Sequence, residues 1–518
     1  MPKIAFMGAG STVFARNVLG DCMCTEALRD SELALYDIDP VRLAESRDIL
    51  TAMNETKGGH ARISAYLGAE NRKEALRGAD FVVNAIQVGG YDPCTITDFE
   101  IPKQFGLRQT IGDTLGIGGI MRALRTIPVL TDFARDMEEV CPDAWFLNYT
   151  NPMSMLTGYM LRYTGVKTVG LCHSVQVCSE NLLKSLGMDD CIEGRREKIA
   201  GINHMAWLLE LRDRFGNDLY PEIKRRAKAK NTSEKHGDMV RFDYIDKLGY
   251  YCTESSEHNA EYNPFYIKAR YPELIERFNI PLDEYPRRCV NQIAGWAKER
   301  DELHESHVLD HTRSREYASY IMEAVTTGVP YQIGGNVLNT GHLISNLPEN
   351  ACVEVPCLVN NTGVHPCWSG ALPVQCAAMN MTHINVHLLT IEAAVTHKKE
   401  HIYQAAMLDP HTGSELDIDT ITEDAVIDLD IERERGGVPE GIRDLDRDGI
   451  QSGVVGLEAV RADHPDGRCA DRGPRQLAAG IPLRMAASAH IEALTAGGAS
   501  APPAGIFAAE HRTRKLCR

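Results

Sequence analysis

Ile4-Ala5-Phe6-Met7-Gly8-Ala9-Gly10-Ser11 is the stretch that decides the fold of this chain. Four apolar residues in a row read as a strand buried on both faces. The glycines that follow permit a tight turn and a close approach of backbone to a pyrophosphate. The third glycine of the dinucleotide fingerprint is absent, since Val13 stands there. Context supplies what the motif lacks. A strand precedes the turn, a helical stretch follows it, and Leu33-Ala34-Leu35-Tyr36-Asp37 reads as a second strand ending in an acid. A carboxylate there can bind the adenosine ribose hydroxyls and repel the extra phosphate of NADP. NAD is therefore the expected dinucleotide, held by Gly8, Gly10, Ser11 and Asp37. The plain alternative for Asp37 is a helix cap or a solvated turn acid.

Outward from that stretch, further strands are expected at 80–86, 144–149 and 167–172, with helices between, for example over 41–53 and 119–139. Alternation of this kind predicts an α/β fold, a Rossmann-like doubly wound parallel sheet over 1–200. Binding residues then belong at the carboxyl ends of the strands, where Asn148, Asn151 and Cys172 fall. After about Asn203 the pattern changes to an α+β substrate and metal domain, 201–430, closing over the first. Paired runs in 332–356, broken by Asn339-Thr340-Gly341 and Asn346-Leu347-Pro348, suit strands joined by turns. From 431 to 518 the chain is rich in Gly, Ala, Arg, Asp and Pro and poor in aromatics. Such a composition buries too little apolar surface to offset chain entropy, so a disordered or poorly packed tail is expected.

The 518 residues suffice for two or three domains, and 43% hydrophobic with 25% charged residues is an ordinary globular composition. A formal net charge of -17 disfavours nucleic acid and anionic membrane as partners. A neutral small-molecule substrate is compatible with it. The first residues enter a strand at once, which leaves no room for a signal peptide, and no run spans a bilayer. The 15 cysteines lack a small-scaffold spacing and read as reduced thiols of a cytoplasmic enzyme.

Two of the chain's residues suggest a metal. Cys172, in Val169-Gly170-Leu171-Cys172-His173-Ser174, and His204, in Gly201-Ile202-Asn203-His204-Met205, offer a thiolate and an imidazole, suited to a divalent transition metal. Only two protein ligands would leave positions open for substrate and water, a catalytic rather than a structural arrangement. Each residue alone has a plainer reading: a buried inert thiol, and a hydrogen-bonded imidazole.

Several motifs in order resemble glycoside hydrolase family 4. They are Gly8-Ala9-Gly10-Ser11, Ile111-Gly112-Asp113-Thr114-Leu115-Gly116, Asn148-Tyr149-Thr150-Asn151-Pro152, Gly170-Leu171-Cys172-His173-Ser174 and Gly201-Ile202-Asn203-His204. Thr253-Glu254-Ser255-Ser256-Glu257-His258, Pro281-Leu282-Asp283-Glu284-Tyr285-Pro286 and Met407-Leu408-Asp409-Pro410-His411 extend the likeness to about Asp419. It is similar above all to the family's α-galactosidase branch.

The resemblance implies NAD⁺ and a divalent cation, usually Mn²⁺, as cofactors. It assigns the metal to Cys172 and His204, sugar hydroxyls to Asn151, and the acid toward the departing oxygen to His173. It also implies hydrolysis of α-galactosides by C3 oxidation, C2 deprotonation, elimination, water addition and re-reduction. NAD-dependent members of this family depart from the two-carboxylate scheme. Glu261 and Tyr262 are the candidate C2 bases, against the plainer readings of a solvated carboxylate and a packed phenol. A homo-oligomer is implied too. The same family takes α-glucosides, α-glucuronides and α-galacturonides. Rival readings are an NAD-dependent 2-hydroxy-acid dehydrogenase, with Arg122 and Arg125 as a carboxylate clamp, and an NAD-sensing protein without turnover. The plain reading of the two arginines is helix surface charge.

Overall fold

The computed structural model describes residues 1–305 and 309–422. The tail expected over 431–518 lies outside the described residues. Six strands run parallel: β1 (Lys3–Met7), β2 (Glu32–Asp37), β3 (Arg62–Leu67), β4 (Phe81–Asn84), β5 (Trp145–Asn148) and β6 (Lys167–Gly170). Their spatial order, β3-β2-β1-β4-β5-β6, is that of a doubly wound dinucleotide-binding sheet. The apolar runs expected as strands all form strands. β3 is the one not anticipated. It lies at the sheet edge, its side chains alternate between exposed and half-buried, and it carries few apolar residues.

The second half of the chain does not build a sheet of its own. It extends the first with β7 (Arg196–Ile202), β8 (Met205–Arg212), β9 (Tyr251–Cys252), β10 (Tyr331–Leu338), β11 (Cys352–Asn360) and β12 (Gly363–Pro366). The order continues β6-β10-β11-β7-β8-β9, with β12 beside β11, and every added pair is antiparallel. The paired runs expected over 332–356 are β10 and β11, in register from Tyr331 opposite Val359 to Leu338 opposite Cys352.

The centre of the sheet is dry. Ile4, Phe6, Met7, Val82, Val83, Phe146 and Leu147 are all fully buried. Helices cover both faces because they carry apolar stripes. The long helix Gly116–Val140 buries Ile117, Ile120, Met121, Ile127, Leu130, Phe133 and Met137, spaced three or four apart. Truncating Phe146 to alanine in such a core would cost about 3–5 kcal/mol.

Strand order reverses between β1 and β4, and ligands bind at that point, beyond the carboxyl ends. Gly8 turns the chain there. Its φ of +88° suits glycine, and a Cβ would lie 2.7 Å from the Ala85 carbonyl oxygen. No helix among the described residues is long and apolar enough to cross a membrane.

Candidate active site

At the nucleotide end, Ser11 precedes the helix Thr12–Met23 but its side chain makes no capping bond. The first-turn N–H groups therefore stay available for an anion. Asp37 ends β2 and is buried. Its carboxylate accepts hydrogen bonds from the backbone N–H of Gly10 at 2.6 Å and of Asp39 at 2.9 Å. A carboxylate has further lone pairs for ribose hydroxyls. Asp37 thus ties the glycine turn to the strand beside it. Gly8, Gly10, Ser11 and Asp37 come together, and the turn and the open helix start fit a dinucleotide.

On the far side of the cleft, the structure brings Cys172 and His204 together. Cys172 follows β6. His204 occupies the two-residue turn between β7 and β8 with a φ of +62°, unusual outside glycine. A third group joins them. Glu254, just after β9, also holds a left-handed φ of +65°. Its Oε2 lies 3.3 Å from His204 Nε2 and 3.9 Å from Cys172 Sγ. One donor atom from each of the three lies within 4.8 Å of the others, all buried. Thiolate, imidazole and carboxylate make a plausible donor set for a transition dication, and two strained residues in it accord with function.

The electrostatics fit a cation. Burial, with Glu254 and Glu354 nearby, pushes the Cys172 thiol well up. Burial pulls His204 down to about 4, so its imidazole is neutral, the form that binds metal. Burial alone would raise Glu254, but His204 and His258 outweigh it and keep the carboxylate ionised. His204 Nδ1, on the other side of the ring, lies 2.9 Å from the Tyr262 hydroxyl and 3.3 Å from Thr114 Oγ1.

His258 Nε2 lies 3.8 Å from Asp113 Oδ1, and its Nδ1 lies 3.0 Å from Ser255 Oγ and 3.6 Å from Glu254 Oε1. Burial opposes its charge, yet Glu254 and Asp113 push it up to about 8. Asp113 in turn is drawn well below the carboxylate range: burial would raise it, and His258 and Arg122 overcome that. Asn151 Nδ2 donates to Asp113 Oδ2 at 3.3 Å. Asn151 therefore sits against the same cluster as the metal donors.

The other expected groups divide. His173 begins the helix His173–Ser185 and pairs through Nε2 with Glu316, which also accepts from the Tyr149 hydroxyl. Tyr262 is fully buried and reaches the cluster through His204. Glu261 points elsewhere. Its carboxylate accepts the backbone N–H groups of Thr110 at 2.7 Å, Ile111 at 3.0 Å and Gly112 at 3.0 Å. It is a buried anchor for the loop that carries Asp113, not the solvated carboxylate of the plain reading.

Residues 3–188 match the family 4 glycosyl hydrolase profile, and residues 199–412 match the family 4 glycosyl hydrolase C-terminal domain. The chain belongs to family 4 of the glycosyl hydrolases. This family 4 hydrolase is 62% identical to an α-galactosidase of Bacillus subtilis (strain 168) over 421 residues, 81% of this chain and 96% of that one. It is 34% identical to an α-galactosidase of Rhizobium meliloti (strain 1021), over 80% of this chain and 84% of that one. Its fold is similar to that of a 6-phospho-α-glucosidase from gut microorganisms in complex with NAD and Mn²⁺. The TM-score is 0.69 at 19% identity, with 85% of this chain and 99% of that one covered.

Sequence reasoning missed three groups in this family 4 hydrolase. Glu254 and Glu316 lie far along the chain from Cys172, and only the fold brings them to it. Thr253-Glu254-Ser255-Ser256-Glu257-His258 was the available signal for Glu254, without a role attached. The third is Arg122. The plain reading of Arg122 and Arg125 as helix surface charge fails, because both are buried. Arg125 pairs with Asp98, Nη1 to Oδ1 at 3.0 Å, so it is no free clamp.

Proposed function

We propose that this family 4 hydrolase is an NAD- and divalent-metal-dependent α-galactosidase that works by oxidation and elimination. The observation that carries the reading is the buried Cys172–His204–Glu254 cluster at the open end of a dinucleotide sheet. The relative of 62% identity bears the same activity in its name, and the 6-phospho-α-glucosidase of like fold holds both cofactors. Cys172 and His204, joined by Glu254, would hold the cation. Gly8, Gly10, Ser11 and Asp37 would hold NAD. When bound, NAD exchanges a hydride with the sugar and the cation supplies Lewis acidity at its oxygens.

The chain's own groups do the rest. Asn151 and Asp113 orient sugar hydroxyls at the mouth of the cluster. Glu316 holds the His173 imidazole in place beside Cys172, where it can hand a proton to the departing oxygen. Of the two candidate bases, Tyr262 is the one whose oxygen reaches the cluster, while Glu261 is spent on backbone N–H groups. Tyr262 also fixes the His204 ring so that Nε2 faces the cation. Buried free thiols, all 13 described cysteines being unpaired, suit a reducing cytoplasm. We assign the protein there, as a homo-oligomer with a substrate domain from about residue 201.

Hydrolysis of p-nitrophenyl α-galactoside with NAD⁺, Mn²⁺ and reductant tests the reading. Turnover should require both cofactors and stop with chelator, and solvent deuterium should enter the product at C2. Net accumulation of NADH with substrate, or turnover that survives chelation, would overturn it.

A further inference from the structure

The geometry points to Arg122 and Asp113 as a clamp for two neighbouring hydroxyls of a neutral sugar, which selects an uncharged glycoside over a uronide. The inference rests on the glycosidase reading above. Arg122 lies in the second turn of the helix Gly116–Val140 and is only 3% exposed. A buried guanidinium is costly unless paired. Yet among the described residues Arg122 makes no hydrogen bond or ion pair, and its one contact partner is the Tyr285 ring, 5.9 Å away. Arg125, one turn on, is paired with Asp98 and has its Nε sealed off without a partner. None of the Arg122 nitrogens is sealed in that way, so they face space that water can enter.

Asp113 is the acid that acts most strongly on Arg122. Its own side chain bonds only neighbours within the site: Thr114 Oγ1 at 2.7 Å, Asn151 Nδ2 at 3.3 Å and, at 3.8 Å, His258 Nε2. Through His258 and Glu254 it adjoins the metal donors. Arg122 and Asp113 thus stand near each other without closing a bond, at the edge of the reacting centre.

That separation matches a sugar. A guanidinium donates two in-plane N–H groups, and an ionised carboxylate only accepts. A pair of vicinal hydroxyls can accept from one and donate to the other. Charge decides between a neutral and an acidic sugar. The positive charges of Arg122 and Arg125 face the negative charges of Asp98 and Asp113. No surplus cation remains there for a sugar carboxylate.

The test uses the holoenzyme with NAD⁺ and Mn²⁺. Wild-type protein, Arg122→Met and Arg122→Gln are compared on p-nitrophenyl α-galactoside and α-galacturonide, and galactose affinity is measured by calorimetry. If wild type cleaves neither glycoside, the glycosidase reading fails, and galactose calorimetry still judges the clamp. The clamp predicts that each variant raises KM for the galactoside and the galactose Kd by about tenfold or more, the loss of a charged hydrogen bond. NAD⁺ and Mn²⁺ affinities stay unchanged. Unchanged KM and Kd in whichever variant folds would overturn the proposal. So would a wild type that prefers the galacturonide and loses that preference in the variants.

Discussion

The Tyr262 hydroxyl and His204 Nδ1 lie 2.9 Å apart, on the side of the imidazole opposite the Glu254 carboxylate. A ligating imidazole usually bonds its second nitrogen to an oriented partner, and here that partner is a buried phenol. Tyr262→Phe should therefore weaken Mn²⁺ binding by about 10–100-fold. Electron paramagnetic resonance titration of free Mn²⁺ checks this, and unchanged affinity would remove Tyr262 from that role.

Glu254→Gln takes the one carboxylate out of the donor cluster. Its neutral amide is a far poorer ligand for a hard-to-borderline cation. Mn²⁺ affinity should fall by about tenfold or more, a loss typical of altered metal surroundings. Cys172→Ser should also bind Mn²⁺ more weakly. Calorimetry on both variants gives the two losses separately.

Glu261→Ala should act on the fold more than on the chemistry. It strands the N–H groups of Thr110, Ile111 and Gly112 in a buried place. Leaving one such donor unsatisfied costs about 1–3 kcal/mol, so a loss of about 3 kcal/mol or more is expected. Urea unfolding measures it. A midpoint equal to that of wild type would show that water replaces the carboxylate.

Glu354 gives a pH signature. Burial pushes it up to about 8, with Glu254 adding and the Asn336 and Asn203 amides opposing. In the unfolded chain it titrates near the ordinary glutamate value of about 4.3. Between those values the folded state keeps a proton that the unfolded state has lost. Stability from this group is therefore greatest at low pH and declines as pH rises toward 8, by at most about 1.4 kcal/mol per pH unit. Glu354→Gln mimics the protonated form and should flatten the slope. Unfolding at pH 6 and pH 8 compares the two, and equal slopes would refute the assignment.

Asp37→Ala removes an acceptor from Gly10 and the negative charge next to the ribose site. NAD⁺ affinity should fall about tenfold or more, as for a lost charged hydrogen bond. Affinity for NADP⁺ should fall less. Fluorescence titration with both reduced nucleotides reads the ratio.

The nucleotide sheet was legible because buried parallel strands announce themselves. Ile4 to Met7, Leu33 to Tyr36 and Phe146 to Leu147 are apolar runs ending in Gly, Asp or Asn. β3 gave no such signal, since an edge strand need not be apolar. Cys172 and His204 were legible through family motifs, and their contact was not, because β10 and β11 stand between their strands. Glu254 was hidden for a further reason. Its left-handed backbone after a two-residue strand leaves no periodic trace. Arg122 looked like surface charge because its helix pattern is blind to the acid beside it. Glu261 was seen as reactive, whereas three backbone groups already use its oxygens.

The inserted hairpin has one more effect. β6 and β7 stand three places apart in the sheet, about 14 Å at ordinary strand spacing. β7 runs against β6, so the chain descends to His204 while it climbs to Cys172. An ion gripped from both banks would act as a keystone over that gap, coupling the nucleotide half to its extension. Its departure should loosen the two rims together while the floor beneath them stays fixed.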